Sequence, residues 1–428
     1  MPPRLVMIDD NIRDASGHYL ELAQLLGDAA SARGMKPIVA TNQCFADLQT
    51  SEDLEIQPVF RTEGMLRWSL GASGLSNCQR DLSGKPFDTK TTLLFGERLK
   101  EILRPANRRP QWLFHNWKAA FIQLIESVDI TEEDHIVVNT GDEFTLLAIA
   151  SALRSRKDKR LNIHIIFHFS INDGSSSKGH ERNQKMGSQI RTALEYLKHH
   201  HVRIHATTQE LKADLDSLTQ QGFFNPIPYP TRPCRFSDGF QNNPCKATLA
   251  GMPRAEKGKH FIEKFLADLA EHQLIDANRL QPSLQVSPRL EKSILSSSLI
   301  SRENVDNIEL IAQHLPTDQY HQWLDGTGIG IFLYDPTRYR TRCSGVLLEM
   351  MCRGIPVIVP DSCWLASQLN LAGGHKSVGY IYRSHHEIPL LLRDFLNDRA
   401  SMVQRARNYA TELREKHSAQ TTLASMGI

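Results

Sequence analysis

Glu349 lies in the stretch YRTRCSGVLLEMMCRGIPVIVP (residues 339–360), among Val346, Leu347, Leu348, Met350 and Met351. A carboxylate in such company is costly to bury unless something bonds to it. Ser344 is a good N-cap, residues 345–352 can form two helical turns, and Gly354 is a suitable stop. Gly345 and Glu349, four residues apart, then share one helix face. A ligand over the start of that helix meets free backbone N–H groups, which favour phosphate. One turn deeper it meets a carboxylate able to accept from two neighbouring sugar hydroxyls. Phosphate above and a diol below describe a nucleotide. The alternative on the same residues is a core helix whose glutamate pairs with Arg340 or Arg342.

Such a helix needs strands on either side. PVIVP (356–360) reads as a short buried strand closed by proline, and GIGIFLY (328–334) as the strand before it. Upstream, KATLAG (246–251) is a strand, MPRAEKG a loop, and 259–272 a helix with Ile262, Phe265, Leu266 and Leu269 on one face. Further strands are expected at PSLQVSP, IELIAQ and VGYIYR, a short helix at 317–326, and two closing helices at 386–397 and 400–416.

The first half repeats the alternation. RLVMIDD (4–10), a glycine break at Ser16-Gly17, an apolar-striped helix and KPIVATN (36–42) form a βαβ unit, which winds into a parallel sheet. LEIQPVF is a strand, 64–86 irregular chain, and 93–102 and 112–127 helical. DHIVVNT, LNIHIIFHFS and VRIHATT are strands, with helices at 143–155, 190–200 and 209–218. The polar, glycine- and serine-rich run 171–186 reads as a loop leaving a strand's carboxyl end, where open α/β sheets place ligands. NPIPYPTRPCRF (225–236), with four prolines, is the best linker in the chain. The expected fold class is therefore α/β: two Rossmann-like parallel-sheet domains, 1–230 and 236–398, facing each other across a cleft.

With 428 residues there is ample material for two cores. A net charge of +2 and no aromatic-interleaved basic motif argue against nucleic acid as partner. Seven cysteines without a C-x-x-C pair fit a reduced, cytoplasmic protein better than a disulfide framework or zinc site. Neither a signal-peptide pattern nor an apolar run of roughly 18–20 residues is present. Peripheral contact with the inner face of a membrane stays open.

Three landmarks in order, Gly17, GMPRAEKG and YDPTRYRTRCSGVLLEMMCRGIPVIVP, resemble the retaining family-4 glycosyltransferases of the two-domain GT-B fold. The resemblance covers most of the second domain and, in layout, the first. It implies Arg254 and Lys257 as ligands of the donor diphosphate, Glu349 on the nucleotide ribose, and Ser344 and Gly345 beneath the diphosphate. Gly17 would face the inter-domain cleft, and the C-terminal helix at 399–428 would return to the first domain. The family's first glutamate, eight residues before Glu349, is replaced here by Thr341, flanked by Arg340 and Arg342. The family's frequent histidine is missing from the region of Asn139 to Asp142, leaving His168, on the next strand, as the nearest candidate.

The implied reaction is transfer from a nucleoside-diphosphate sugar, as co-substrate, to a glycan or glycolipid, with retention and without a metal or other cofactor. His18, after Gly17, keeps inversion open, and with Asp142 it is placed on the acceptor side. The D-x-D at Asp214 and Asp216 falls in an expected helix and reads as surface charge rather than a metal site. Two rivals use the same scaffold: a nucleotide-sugar epimerase or sugar phosphorylase, and a degenerate nucleotide-sugar binding or partner-recruiting protein.

Overall fold

The computed structural model describes residues 2–14, 18–45, 54–62, 110–169 and 177–428, so Gly17, the irregular stretch 64–86 and the helix expected at 93–102 lie outside the described residues. The chain divides into two compact units, Met1–Pro228 with Thr422–Ile428, and Tyr229–Thr421.

Seven strands build the first unit: β1 (Arg4–Ile8), β2 (Lys36–Asn42), β3 (Glu55–Phe60), β4 (His135–Gly141), β5 (Asn162–Phe167), β6 (His201–Ala206) and β7 (Phe224–Pro226). They pair in the order β3-β2-β1-β4-β5-β6-β7, always parallel. Helices α1 (His18–Ser31), α2 (Pro110–Ser127), α3 (Glu143–Leu153), α4 (Ser177–Tyr196) and α5 (Gln209–Thr219) alternate with them. Val6, Ile8, Ile38, Ile136, Val138 and Ile163 are all buried, as strands covered on both faces must be. Helix α4 starts inside the run expected to be a loop. Its buried stripe is Met186, Ile190, Ala193 and Leu197, and only Met186 of these falls within the polar run. Gly187 lets α4 close on the end of α5, because a Cβ there would lie 1.9 Å from the Leu218 carbonyl oxygen.

Across this sheet runs a chain of three imidazoles. His135 Nδ1 lies 3.2 Å from His164 Nε2, and His164 Nδ1 lies 3.1 Å from His205 Nε2. Burial, the largest cause, pushes His164 down to about 2 and His205 down to about 4, with neighbouring charges including Arg203 acting in the same direction. His135 is lowered too, again mainly by burial. The unfolded chain therefore binds protons below about pH 6.5 that the folded chain refuses. Stability falls as pH drops below that point, until about 4 for His205 and about 2 for His164. Asp9 acts the other way: burial, then Asp10, raise it to about 6, so its folded form keeps a proton that the unfolded form releases down to its ordinary value of 3.8. One such group offsets one histidine, at about 1.4 kcal/mol per pH unit each. The remaining imidazoles make acid net destabilising. Calorimetric melts between pH 7 and 4 should show the first unit's transition falling, and His164→Leu should flatten that slope; a pH-independent transition would contradict it.

The second unit repeats the design with β8 (Cys245–Leu249), β9 (Leu280–Gln285), β10 (Glu309–Ile311), β11 (Ile329–Ile331), β12 (Val357–Pro360) and β13 (Gly379–Tyr382). Their order is β10-β9-β8-β11-β12-β13, all parallel. Its helices are α6 (Ile262–Glu271), α7 (Pro288–Leu295), α8 (Arg302–Asp306), α9 (Thr317–Asp325), α10 (Gly345–Cys352), α11 (Trp364–Leu371) and α12 (Ile388–Lys416). The break expected between the two closing helices lies within α12, at Asp398, whose backbone is non-helical (φ −113°, ψ 19°). The returning segment is also shorter than expected: residues 399–421 group with the second unit and only 422–428 with the first. Arginines hold α12 there. Arg414 lies 4.0 Å over the Phe236 ring and donates from Nε to the Cys352 carbonyl at 2.7 Å, while Arg407 donates to the Ser237 carbonyl at 2.6 Å. A last helix, α13 (Ala419–Met426), contains the division between the units. Among the described residues no helix is long and apolar enough to cross a membrane.

Candidate active site

In the second sheet the strand order reverses between β8 and β11. The connections leaving those two neighbours run to opposite sides, which opens a crevice at their carboxyl ends. The loop after β8 carries Gly251 to Gly258, and the segment after β11 carries Tyr334 to Ser344.

The loop is shaped around one ammonium. Gly251 has φ +87°, and a Cβ on it would lie 2.6 Å from Lys257 Nζ. Gly258 (φ +76°) closes the following turn, where a Cβ would fall 2.0 Å from the Leu333 carbonyl oxygen. Lys257 Nζ is thereby set 5.5 Å over the Tyr334 ring. Burial, more than any other cause, lowers the Lys257 pKa; Arg254 and Arg342 add to the lowering, against the opposing pull of Tyr339 and Glu256. Arg254 is exposed, and Arg342 lies 5.2 Å over the Tyr339 ring. Neither Arg254 nor Lys257 forms an ion pair among the described residues. Two cations at a strand end with no ion pair among the described residues are suited to an anion.

Helix α10 supplies the other wall. The Ser344 hydroxyl accepts from the Leu347 amide at 3.3 Å, as an N-cap should. At the far end Gly354 takes φ +67° and buried Arg353 locks the turn. Its guanidinium donates to Asp325 Oδ1 at 2.8 Å and the Glu349 carbonyl at 3.1 Å, and meets His321 Nδ1 at 3.0 Å. Glu349 is half-buried rather than enclosed. The buried Tyr320 hydroxyl, from α9, donates to Glu349 Oε2 at 2.8 Å. Burial and then the Glu349 charge raise the Tyr320 pKa well above its ordinary value, so this phenol remains a donor. Thr341 is buried in the same segment and Arg340 is exposed. Arg254, Lys257, Arg342, Ser344, Gly345 and Glu349 thus belong to one locality, to which the structure adds Tyr320, Tyr334 and Tyr339.

The first unit's candidates are more scattered. His18 is exposed at the start of α1, its ring 4.3 Å from that of Tyr19. His168 Nε2 lies 2.5 Å from the Asn139 carbonyl oxygen. The Asp142 carboxylate caps α3, accepting from the Thr145 amide at 2.8 Å. Asp216 accepts from the Phe224 amide at 3.0 Å, which ties α5 to β7. Sequence reasoning passed over Asp9 and Asp10, both buried just after β1 at that sheet's own reversal; Thr140 donates to Asp9 and Thr62 to Asp10, each at 2.8 Å. No group of three or more metal-ligating side chains is arranged to hold an ion among the described residues.

Two parallel sheets of seven and six strands with flanking helices are the GT-B fold of glycosyltransferases. Solved structures of that class align over nearly the whole chain. WaaG, a glycosyltransferase involved in lipopolysaccharide biosynthesis, is 14% identical at a TM-score of 0.58, covering 98% of each chain. The trehalose-6-phosphate synthase OtsA is 12% identical at 0.62, covering 99% of each. Sucrose-phosphate synthase from Thermosynechococcus elongatus is 13% identical at 0.59, covering 100% of this chain and 96% of that one. No family model matches the chain, and no curated protein matches it by sequence.

Proposed function

We propose that the protein is a glycosyltransferase that takes a sugar from a nucleoside diphosphate and passes it, with retention and without a metal, to a glycan or glycolipid. The observation that carries this reading is the pair of cations, Arg254 and Lys257, with no ion pair among the described residues, in the loop at the sheet's reversal, together with the amino end of α10 and Glu349 one turn deeper. Departure of the leaving group puts negative charge on the outer phosphate while the anomeric carbon becomes cation-like. Lys257, Arg254 and the Gly345 amide, fixed before reaction, stabilise that charge more in the transition state than in the ground state. The bond from the anomeric carbon to the phosphate oxygen breaks, the acceptor oxygen forms the new bond on the same face, and its proton passes to the departing phosphate oxygen. Glu349 is the proposed acceptor for the ribose hydroxyls, with Tyr320 steadying its Oε2. His168 is assigned to the reacting sugar and His18 to the acceptor; Asp142 acts indirectly, by holding α3. The cytoplasm, at the inner membrane face when the acceptor is a glycolipid, is the proposed location.

The experiment is incubation with nucleotide sugars and candidate acceptors in excess chelator, with the product linkage assigned by proton NMR. Transfer with the donor's own anomeric configuration is expected. Activity lost to chelator and restored by manganese would defeat the metal-free reading, and an inverted linkage would defeat retention. The second reading, a binding protein without transfer, is favoured by one feature, Thr341 at the first glutamate's position; nucleotide-sugar binding with neither hydrolysis nor transfer would establish it.

A further inference from the structure

Tyr334 follows β11 into the crevice and is 4% exposed, yet its hydroxyl has no hydrogen-bond partner among the described residues. The ring is held on two sides, 5.2 Å from that of Phe332 and 4.4 Å from that of Tyr339, with Lys257 Nζ 5.5 Å over it. The Ser344 hydroxyl is close enough to favour the phenolate against the effect of burial, but the pair does not meet the geometry of a hydrogen bond. Buried hydroxyls are nearly always bonded, and an orphan costs its full desolvation. Phenylalanine would fill this space without that cost, so the hydroxyl needs a partner that arrives from outside.

We propose that the Tyr334 hydroxyl donates a hydrogen bond to the outer phosphate of the nucleotide, completing with Lys257 and the start of α10 the set of groups that hold it. The inference rests on the glycosyltransferase reading above and adds a residue to that site. Three observations select the phosphate. The cation over the ring is the Lys257 ammonium, which forms no ion pair among the described residues and would hold an anion beside the phenol. The hydroxyl also neighbours Ser344, the cap of the helix whose first amides face the same anion. Burial, the largest cause, raises the Tyr334 pKa, so the group is a donor and an acceptor-only ligand such as a phosphoryl oxygen suits it.

The test is Tyr334→Phe in the full-length protein, read by thermal melting without ligand and by calorimetric titration with nucleoside diphosphate and monophosphate. The base is the one the wild type binds best among uridine, guanosine and adenosine. Unliganded stability should be unchanged or higher, because the variant removes an unsatisfied hydroxyl. Diphosphate affinity should fall about tenfold, the effect of one hydrogen bond to a charged group, with monophosphate affinity unchanged. Lower unliganded stability would overturn the proposal by making the hydroxyl structural, and so would an equal loss for mono- and diphosphate. Wild-type diphosphate affinity in Tyr334→Phe, with affinity lost in Lys257→Ala, would sink this inference and leave the site standing. Wild-type affinity in both variants would sink the site itself.

Discussion

Lys257→Ala should lower turnover by about two orders of magnitude, the usual effect of removing one preorganised group aimed at developing charge, while the donor KM changes less. The asymmetry follows from what the ammonium does. Charge on the outer phosphate grows as the leaving group departs, so an interaction with it strengthens on the way to the transition state. Lys257 is placed for this by its surroundings: burial lowers its pKa, Gly251 leaves room for Nζ, and it forms no ion pair among the described residues. Arg254, which is exposed, should matter less, at about tenfold. Lys257→Arg should not rescue, since a guanidinium is wider than the space over Gly251. Gly251→Ala should mimic the loss, because its Cβ would fall 2.6 Å from Nζ on a backbone with φ +87°. Because the folded pKa is lowered, the ammonium deprotonates at a less alkaline pH than an ordinary lysine. Turnover should therefore fall on the alkaline side sooner than a free lysine predicts, and that limb should vanish in Lys257→Ala. Steady-state kinetics over pH supply all of these readings, and unchanged turnover in both alanine variants would refute the assignment.

Glu349→Ala should weaken nucleoside diphosphate binding by about tenfold to a hundredfold, matching one or two charge-assisted hydrogen bonds. Wild-type protein should discriminate against the 2′,3′-dideoxy nucleotide by a similar factor, and the variant should not discriminate at all. A purely structural glutamate predicts the opposite pattern: a large fall in melting temperature with discrimination intact. Glu349 is only half-buried, so a ligand can reach its carboxylate, which Tyr320 orients through one oxygen. Tyr320→Phe should give a smaller loss in the same direction, since it frees the carboxylate without removing it.

Much of this site was legible in the chain because its determinants are local. Ser344 as cap, Gly354 as stop and the apolar run between them define α10 with the bounds Gly345–Cys352, and the loop after β8 was read as a loop from its proline and glycines. The parallel α/β architecture followed from strand and helix periods alternating along the chain. What escaped notice depends on register and on distant partners. Tyr320 is 29 residues from Glu349 and meets it only because α9 follows β10 on the same side of the sheet as α10. Nothing in GIGIFLY says that its tyrosine hydroxyl will be orphaned. The three histidines of the first sheet sit singly in three strands, and only the pairing of β4, β5 and β6 brings them into a row. Helix α4 starts earlier than its apolar pattern implies because its first turns are polar, whereas the break expected between 397 and 400 is present at Asp398.

The central claim is that the cations after β8 and the start of α10 form a nucleoside diphosphate site, and calorimetric titration of the full-length protein tests it most directly. Uridine, guanosine and adenosine diphosphates should each be titrated in chelator, against the matching nucleosides. Saturable one-to-one binding of at least one diphosphate is predicted, with its nucleoside far weaker and the diphosphate signal lost in the Arg254→Ala, Lys257→Ala double variant. No binding by any of the three, or undiminished binding in that variant, would contradict the account.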